Sequence, residues 1–436
     1  MKDIIRLKLG DALSMPFPEL TKREVSLPGI KGKAHAIIGM RRAGKTYYLF
    51  QCLRERLHRG IDRDRLIYFN FEDERLAGLK AVDLGILIEE YYRRFPDYRR
   101  KKKVCFCFDE IQLVPGWEKF IRRLLDEETV ELFLSGSSAK LLSREIATSM
   151  RGRAMETVVS PFSFREFMSY RGFELPKESA LIDSATRSKI LHAFDDYMRV
   201  GGFPEAQELA DRDRVQLLQS YVEVVVFRDV VERHNITNIS ALRALVRKLL
   251  CHYASSLSVT KIYNDFRSQG IEVSKSSLFE FVTYLQDSFL IDLLEIYSSS
   301  ERKRRVNPRK IYPRDHALVR SFLPSVTFDE GRLLENVVAC ELQRSSQMIS
   351  YYKTRSGYEI DFLVYDYNGV MSLYQVAATI ANEATCKREV RGLLEASEEH
   401  PEANLFLLIR DLEVFSEQTV PSKIQIFPIW EWLLQK

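Results

Sequence analysis

Residues 39–46 read Gly-Met-Arg-Arg-Ala-Gly-Lys-Thr, a short loop with a glycine at its start and a glycine, an amine and a hydroxyl at its end. That combination suits one chemistry. Glycines let the backbone turn closely enough for successive N–H groups to face a phosphate chain, and a helix starting behind them adds its own N–H groups. Lys45 then reaches the β/γ-phosphates and the Thr46 hydroxyl holds Mg²⁺. The candidate nucleotide contacts are therefore Gly39, Met40, Arg41, Arg42, Ala43, Gly44, Lys45, Thr46 and Tyr47. A chance glycine turn is the plain alternative, but it leaves the flanks unexplained. Residues 36–38 are apolar in the manner of a buried strand, and residues 47–57 carry apolar side chains at helical spacing.

A second acidic signal lies downstream. The apolar run 104–108 ends in Asp109 and Glu110. A carboxylate at a strand end can support Mg²⁺, and the next one can orient or deprotonate an attacking water. The two acids could instead open a loop or cap a helix. With the phosphate loop upstream, the pair predicts a site for ATP or ADP with Mg²⁺. Two weaker candidates complete it. The run 131–135 ends in Gly136-Ser137-Ser138, which places Ser137, or Ser138, where it could sense a γ-phosphate; a helix cap is the alternative. Arg153, or Arg151 before it, could stabilise transition-state charge from a neighbouring copy, which would make the working form a homo-oligomer; a surface arginine is the alternative.

These residues need elements to hold them. With 436 residues, the chain is too long for one ordinary core and implies several domains. Sixty-five basic against 61 acidic residues leave +4, too little to name a partner, so any basic surface must be local. The six cysteines lack C-x-x-C spacing, and Cys105 and Cys107, two apart on one strand, suit packing better than ligation. No apolar run approaches a membrane span, and the first residues lack a signal-peptide core, so a cytoplasmic protein without membrane contact is expected.

Residues 1–30, with prolines at 16, 18 and 28, read as a lead-in segment. Strands alternate with helices through 31–165, which predicts for 1–165 an α/β core with a doubly wound parallel sheet and its ligand at the carboxyl ends of the strands. Residues 166–235 read as helices, including a long one over 216–235, and suit a helical lid over the nucleotide. Residues 236–325 show three helical patterns and a hairpin, the signature of a winged helix. Its tip carries Arg302, Lys303, Arg304 and Arg305, with Arg309 and Lys310 close by. These suit contacts to a duplex DNA backbone, while a solvated loop on a protein-binding module is the alternative.

Residues 326–436 read as a helix, a tight hairpin, a third strand, a helix and a further strand. Glu335 and Asp361 suit a Mg²⁺-dependent PD-(D/E)-x-K nuclease core. The third strand, however, has Gln375 and Ala377 where an acid and a lysine are needed. An amide is a poor carboxylate and alanine cannot activate water, so the nuclease-like domain is expected to be degenerate.

Taken together, the chain resembles the AAA-type P-loop ATPases of prokaryotes that carry a C-terminal domain of unknown function. The resemblance rests on residues 39–46, 108–111, 135–138, 151–153, 161–167 (Pro-Phe-Ser-Phe-Arg-Glu-Phe), 201–205 (Gly-Gly-Phe-Pro-Glu), 227–229 (Phe-Arg-Asp) and 358–361. It implies an ATPase core with a helical lid, a winged helix and a nuclease-like fold, and the roles given above for Lys45, Thr46, Asp109 and Glu110. The functional expectation is a Mg²⁺-dependent ATPase coupled to duplex DNA. Its rivals are a nucleotide-dependent protein scaffold and an active nuclease.

Overall fold

The computed structural model describes residues 1–136, 150, 152–173, 183–323, 328–379, 383–411 and 420–435. Ser137, Ser138 and Arg151 lie outside them. The chain divides into two compact units, Met1–Ser160 with Asp287–Phe289, and Pro161–Gln286 with Leu290–Lys436.

The first unit is built on five parallel strands: β1 (Ala34–Ile38), β2 (Leu66–Asn70), β3 (Val104–Asp109), β4 (Val130–Ser135) and β5 (Ala154–Val158). Their order across the sheet is β2-β3-β4-β1-β5. Every residue of β1 and β3 is buried, as continuous apolar runs require when helices cover both faces. The period of two sorts β3. Cys105 and Cys107 join the cluster under α2 (Lys45–His58), among Tyr48, Leu49, Cys52 and Leu53. Phe106 and Phe108 face the other way, against Tyr91 of α3 (Leu84–Arg94) and Phe120 of α4 (Trp117–Glu127). Six free cysteines and this packing agree with the structural reading of that pair.

A helix α1 (Lys2–Ser14) lies beside β2 and α3. The proline-containing stretch after it packs Met15, Phe17, Leu20, Val25 and Leu27 onto the α2 cluster. Gln51 of α2 bonds the backbone of Arg23 in both directions, accepting from its N–H at 2.6 Å and donating to its carbonyl at 3.0 Å. The buried Arg23 side chain donates to the carbonyls of Ala43 and Ser160, tying the phosphate loop to the end of β5.

The second unit opens with α5 (Phe164–Tyr170) and α6 (Ser184–Val200). The motif at 161–167 is a capping box: Ser163 Oγ accepts from the Glu166 N–H at 3.1 Å, and Glu166 accepts from the Ser163 N–H at 2.9 Å. Next, α7 (Asp211–Val224) runs without a break into a π-helical segment, Val225–Val231, that contains Phe227-Arg-Asp229. Three helices follow, α8 (Ile239–Cys251), α9 (Val259–Ser268) and α10 (Lys275–Asp287), with a small antiparallel sheet. Its strands β6 (Ser255–Leu257), β7 (Ile291–Leu294) and β8 (Arg309–Pro313) take the order β6-β8-β7. Between β7 and β8 the chain forms a short helix, α11 (Glu301–Val306), and α12 (His316–Phe322) follows β8.

The last part is a mixed sheet of β9 (Met348–Lys353), β10 (Glu359–Tyr365), β11 (Met371–Ala377), β12 (Asn404–Ile409) and β13 (Ile424–Pro428). The first three are antiparallel and the last three parallel. Leu333, Leu334, Val337 and Val338 of α13 (Glu330–Ser345) pack on one face with Phe362 and Val376, together with Ile429 and Trp430 of α15 (Ile429–Gln435). Val390, Leu393 and Ala396 of α14 (Glu383–Glu399) pack on the other with Leu363, Leu373 and Ala377.

The glycine pair in the 201–205 motif has a steric cause. Gly202 donates its N–H to Asp315 Oδ2 at 2.8 Å and accepts from the Phe162 N–H at 2.6 Å. A Cβ on Gly202 would lie 2.3 Å from the Phe162 carbonyl oxygen, and one on Gly201 would lie 2.4 Å from both Asp315 Oδ1 and Ala317 Cβ. We therefore expect Gly202→Ala to lower the stability of the chain by about 1–3 kcal/mol in denaturant titration, as overpacking against backbone does.

Candidate functional site

The strand order decides what reaches the phosphate loop. In parallel strands, equivalent ends share one edge of the sheet, and here Ile37 is level with Ser135, and Asn70 with Asp109. Gly39 leaves β1 with φ +143°, and a Cβ there would meet the Val159 carbonyl oxygen at 2.2 Å, so only glycine fits. Gly44, at φ +99°, caps α2 and turns the chain into it. Met40 and Ala43 are buried, so their side chains shape the loop from within and only their backbone can face a ligand. Arg42 and Tyr47 are exposed beside it.

Lys45 is buried, its ammonium 3.0 Å from the carbonyls of both Gly39 and Met40. One turn of charge and hydroxyls lies next to it. Asp109 Oδ2 accepts from Thr46 Oγ1 at 2.8 Å and from the Tyr68 hydroxyl at 2.6 Å, while Oδ1 accepts from Ser135 Oγ. Ser135 Oγ in turn accepts from the Glu110 N–H at 3.1 Å. Burial and the Asp109 carboxylate push the Tyr68 phenol far above its ordinary range, which keeps it a donor.

Glu110 has φ +55°, a left-handed conformation uncommon for a side chain of its size. Gln112 Nε2 donates to its carboxylate. Burial raises the Glu110 pKa and Asp109 adds to the rise, while Lys45 and Arg41 oppose it. A carboxylate poised in this way takes a proton more readily than a free glutamate, which is what a general base requires.

Of the residues expected from sequence, Lys45, Thr46, Asp109 and Glu110 converge. Arg153 does not join them. It directly precedes β5, its carbonyl accepts from the Ala34 N–H, and its guanidinium pairs with Asp126 of α4. It thus sits at the amino ends of β1 and β5, across the length of the sheet from the phosphate loop. Two hydroxyls that the sequence reading did not select, Tyr68 and Ser135, touch Asp109. Ser135 carried a signal, since it closes an apolar strand just before Gly136; Tyr68 carried none.

The donor set fits Mg²⁺. A hydroxyl and one carboxylate, both hard oxygen donors in mutual contact beside the phosphate loop, are what this ion takes when substrate phosphate and water supply the rest.

In the second unit, Asp361 on β10 and Gln375 on β11 are neighbours, the Asp361 N–H donating to Gln375 Oε1 at 3.4 Å. Ala377 is buried beneath α14. Arg302, Lys303, Arg304 and Arg305 are exposed on α11. Lys310 corrects an expectation. It is not part of that basic surface but is buried, and its ammonium meets Glu335 and Asp361.

A model of an AAA domain matches residues 31–168, and models of two domains of unknown function, DUF8612 and DUF4143, match residues 191–327 and 330–432. The uncharacterized protein MJ1544 of Methanocaldococcus jannaschii is 34% identical over 425 residues, covering 95% of this chain and 91% of its own. The chain belongs to that family. An uncharacterized protein of Haemophilus influenzae is 26% identical over 400 residues, 92% of this chain and 94% of its own. Among solved structures, AMPPCP-bound DnaA from Aquifex aeolicus aligns at 16% identity and a TM-score of 0.24, covering 65% of this chain and 86% of that one, too loose a likeness to carry an argument. The AAA domain with its phosphate loop makes this a nucleotide-binding protein. No helix among the described residues is long and apolar enough to cross a membrane.

Because Ser135 holds both Asp109 and the Glu110 backbone, Ser135→Ala should lower nucleotide turnover about 10- to 100-fold, the range seen when groups orienting a metal ligand are removed. Nucleotide affinity without added metal should stay unchanged. A fluorescent ATP analogue and a coupled phosphate assay read the two separately.

Proposed function

We propose that this chain is a Mg²⁺-dependent ATPase whose turnover is coupled to duplex DNA. The observation that carries the hydrolytic half is the convergence of Lys45, Thr46, Asp109 and Glu110 at the carboxyl edge of one parallel sheet. When bound there, Mg²⁺ would neutralise phosphate charge. Thr46 and Asp109 would hold it, Lys45 would exchange its carbonyl partners for β/γ-phosphate oxygens, and Glu110 would orient the attacking water and accept its proton. Arg153, at the opposite edge, would serve the nucleotide of a neighbouring copy, and Ser137 would sense the γ-phosphate.

Support for the DNA half comes from the second unit. The order of helices α8, α9 and α10 with strands β6, β7 and β8 suits a winged helix, in which the basic helix α11, between β7 and β8, would be the wing. Ser274 caps the third helix, accepting from the Ser277 N–H at 3.0 Å, and leaves Lys275 and Ser276 exposed for backbone phosphates. One observation favours the rival protein scaffold: Phe279 and Glu280 are exposed on that same helix, an apolar and an acidic side chain where a phosphate-facing surface would be basic. We read the C-terminal mixed sheet as a nuclease-like module that does not cut.

Two outcomes test the reading. Lys45→Ala should abolish ATP binding, whereas Glu110→Gln should bind ATP and lose about 10²–10⁴-fold in turnover. The wild-type rate should fall, as pH is lowered, at a pH above the usual glutamate range, because the raised Glu110 must be ionised to act. Turnover by Glu110→Gln at the wild-type rate would remove the base. Separately, duplex DNA should stimulate turnover at low salt and cease to do so as salt rises, with a shallower salt slope when Arg302, Lys303, Arg304 and Arg305 are neutralised. Turnover indifferent to DNA at every salt concentration would favour the scaffold.

A further inference from the structure

A nuclease-like core implies a divalent cation between its acids, so the fit of the residues present can be tested. Glu335 comes from α13, Glu359 and Asp361 from β10. One oxygen of each converges on a single nitrogen, Lys310 Nζ of β8, at 2.9, 2.9 and 3.1 Å. Each acid also has a second partner. Glu335 Oε1 accepts from the Tyr312 hydroxyl at 2.6 Å, Glu359 Oε2 pairs with Lys353 at 3.2 Å, and Asp361 Oδ2 accepts from the Val376 N–H at 3.0 Å. The Lys310 side chain is 5% exposed. Among the described residues no three acidic, histidine or cysteine side chains are arranged to hold a metal ion, these three included.

We propose that the Lys310 ammonium is the resident cation of this cluster, standing where an active nuclease core holds its metal, so that this module takes no divalent ion and cleaves no nucleic acid. The lysine is supplied from the small antiparallel sheet instead of from β11, whose place for it is filled by Ala377 under α14. The inference is independent of the ATPase reading.

Electrostatics supports the assignment. Burial lowers the Lys310 pKa, but Asp361, Glu335 and Glu359 outweigh it and hold the amine charged well above the ordinary lysine range. Removing the ammonium would leave buried acids without their shared partner, the situation a divalent ion relieves.

The test uses the full chain carrying Asp109→Asn, so that the phosphate loop contributes no metal site. Terbium titration is read by luminescence sensitised through Tyr312, with Mn²⁺ as competitor. Lys310→Met should bind Tb³⁺ about a hundredfold more tightly at this cluster than the lysine-bearing chain. Adding Asp361→Asn should remove the gain, and Mn²⁺ should raise the melting temperature of Lys310→Met but not of the lysine-bearing chain. If Lys310→Met does not fold, amine acylation of the lysine-bearing chain decides: Lys310 should resist modification with or without saturating Mn²⁺. The proposal is overturned if Mn²⁺ deprotects Lys310, if both chains bind Tb³⁺ equally at a site sensitive to Asp361→Asn, or if folded Lys310→Met gains no site. Mn²⁺-dependent DNA cleavage lost in both Lys310→Met and Asp361→Asn would also overturn it, making Lys310 a working nuclease residue.

Discussion

Three hydroxyls on one carboxylate hold the nucleotide-binding unit in register. Thr46 lies in the first turn of the helix behind the phosphate loop, Tyr68 stands in the middle of β2 and Ser135 ends β4, and all three donate to Asp109 at the end of β3. A buried ionised acid is costly unless donors surround it, and here the donors arrive from three different elements. The sheet cannot slip by one residue without losing them. The same constraint fixes Glu110, whose backbone N–H finishes on Ser135, and sets its carboxylate beside Lys45.

The second unit follows the same logic with other residues. Asp315 accepts from the Gly202 and Ala317 N–H groups and so joins the turn after α6 to the start of α12. Lys310 draws a helix and a strand of the mixed sheet onto β8. On the far side of the hairpin the Tyr297 N–H reaches the Tyr351 carbonyl at 2.7 Å, and Tyr351 donates its hydroxyl to Pro308 at 2.6 Å. The basic helix α11 thus springs from two strands that are both pinned to the mixed sheet.

What was legible in the sequence was what lies close together along it. The phosphate loop, its flanking strand and helix, and the acids closing β3 are each contained in a dozen residues, and periodicity places them. The alternating pattern also gave the α/β core and, in the last part of the chain, the order of elements from α13 to β12, but neither β13 nor α15. Contacts between strands were less accessible, because they depend on β4 lying between β1 and β3, a fact no local pattern encodes. Tyr68 was therefore invisible as a partner of Asp109, and Ser135 was passed over for its neighbour. Two motifs had local explanations that went unread: Ser163 and Glu166 spell a capping box, and the 201–205 glycines mark a close backbone approach. Lys310 was misread for a physical reason. It follows a run of arginines and looks solvated, whereas its partners are 25, 49 and 51 positions away.

The shared ammonium has a consequence for how such a chain can change over generations. A lysine lost from position 310 strands two buried acids at once, Glu335 and Asp361, while Glu359 keeps Lys353, and an acid lost alone leaves the others still paired with the same amine. Substitution is therefore lopsided: one acid can be lost while the ammonium keeps the others as partners, whereas the lysine can leave only together with them or when a metal arrives in its stead. Gain of a metal ion at this cluster would demand a coordinated exchange, the ammonium leaving as the ion arrives. Drift in this corner of the molecule runs in one direction.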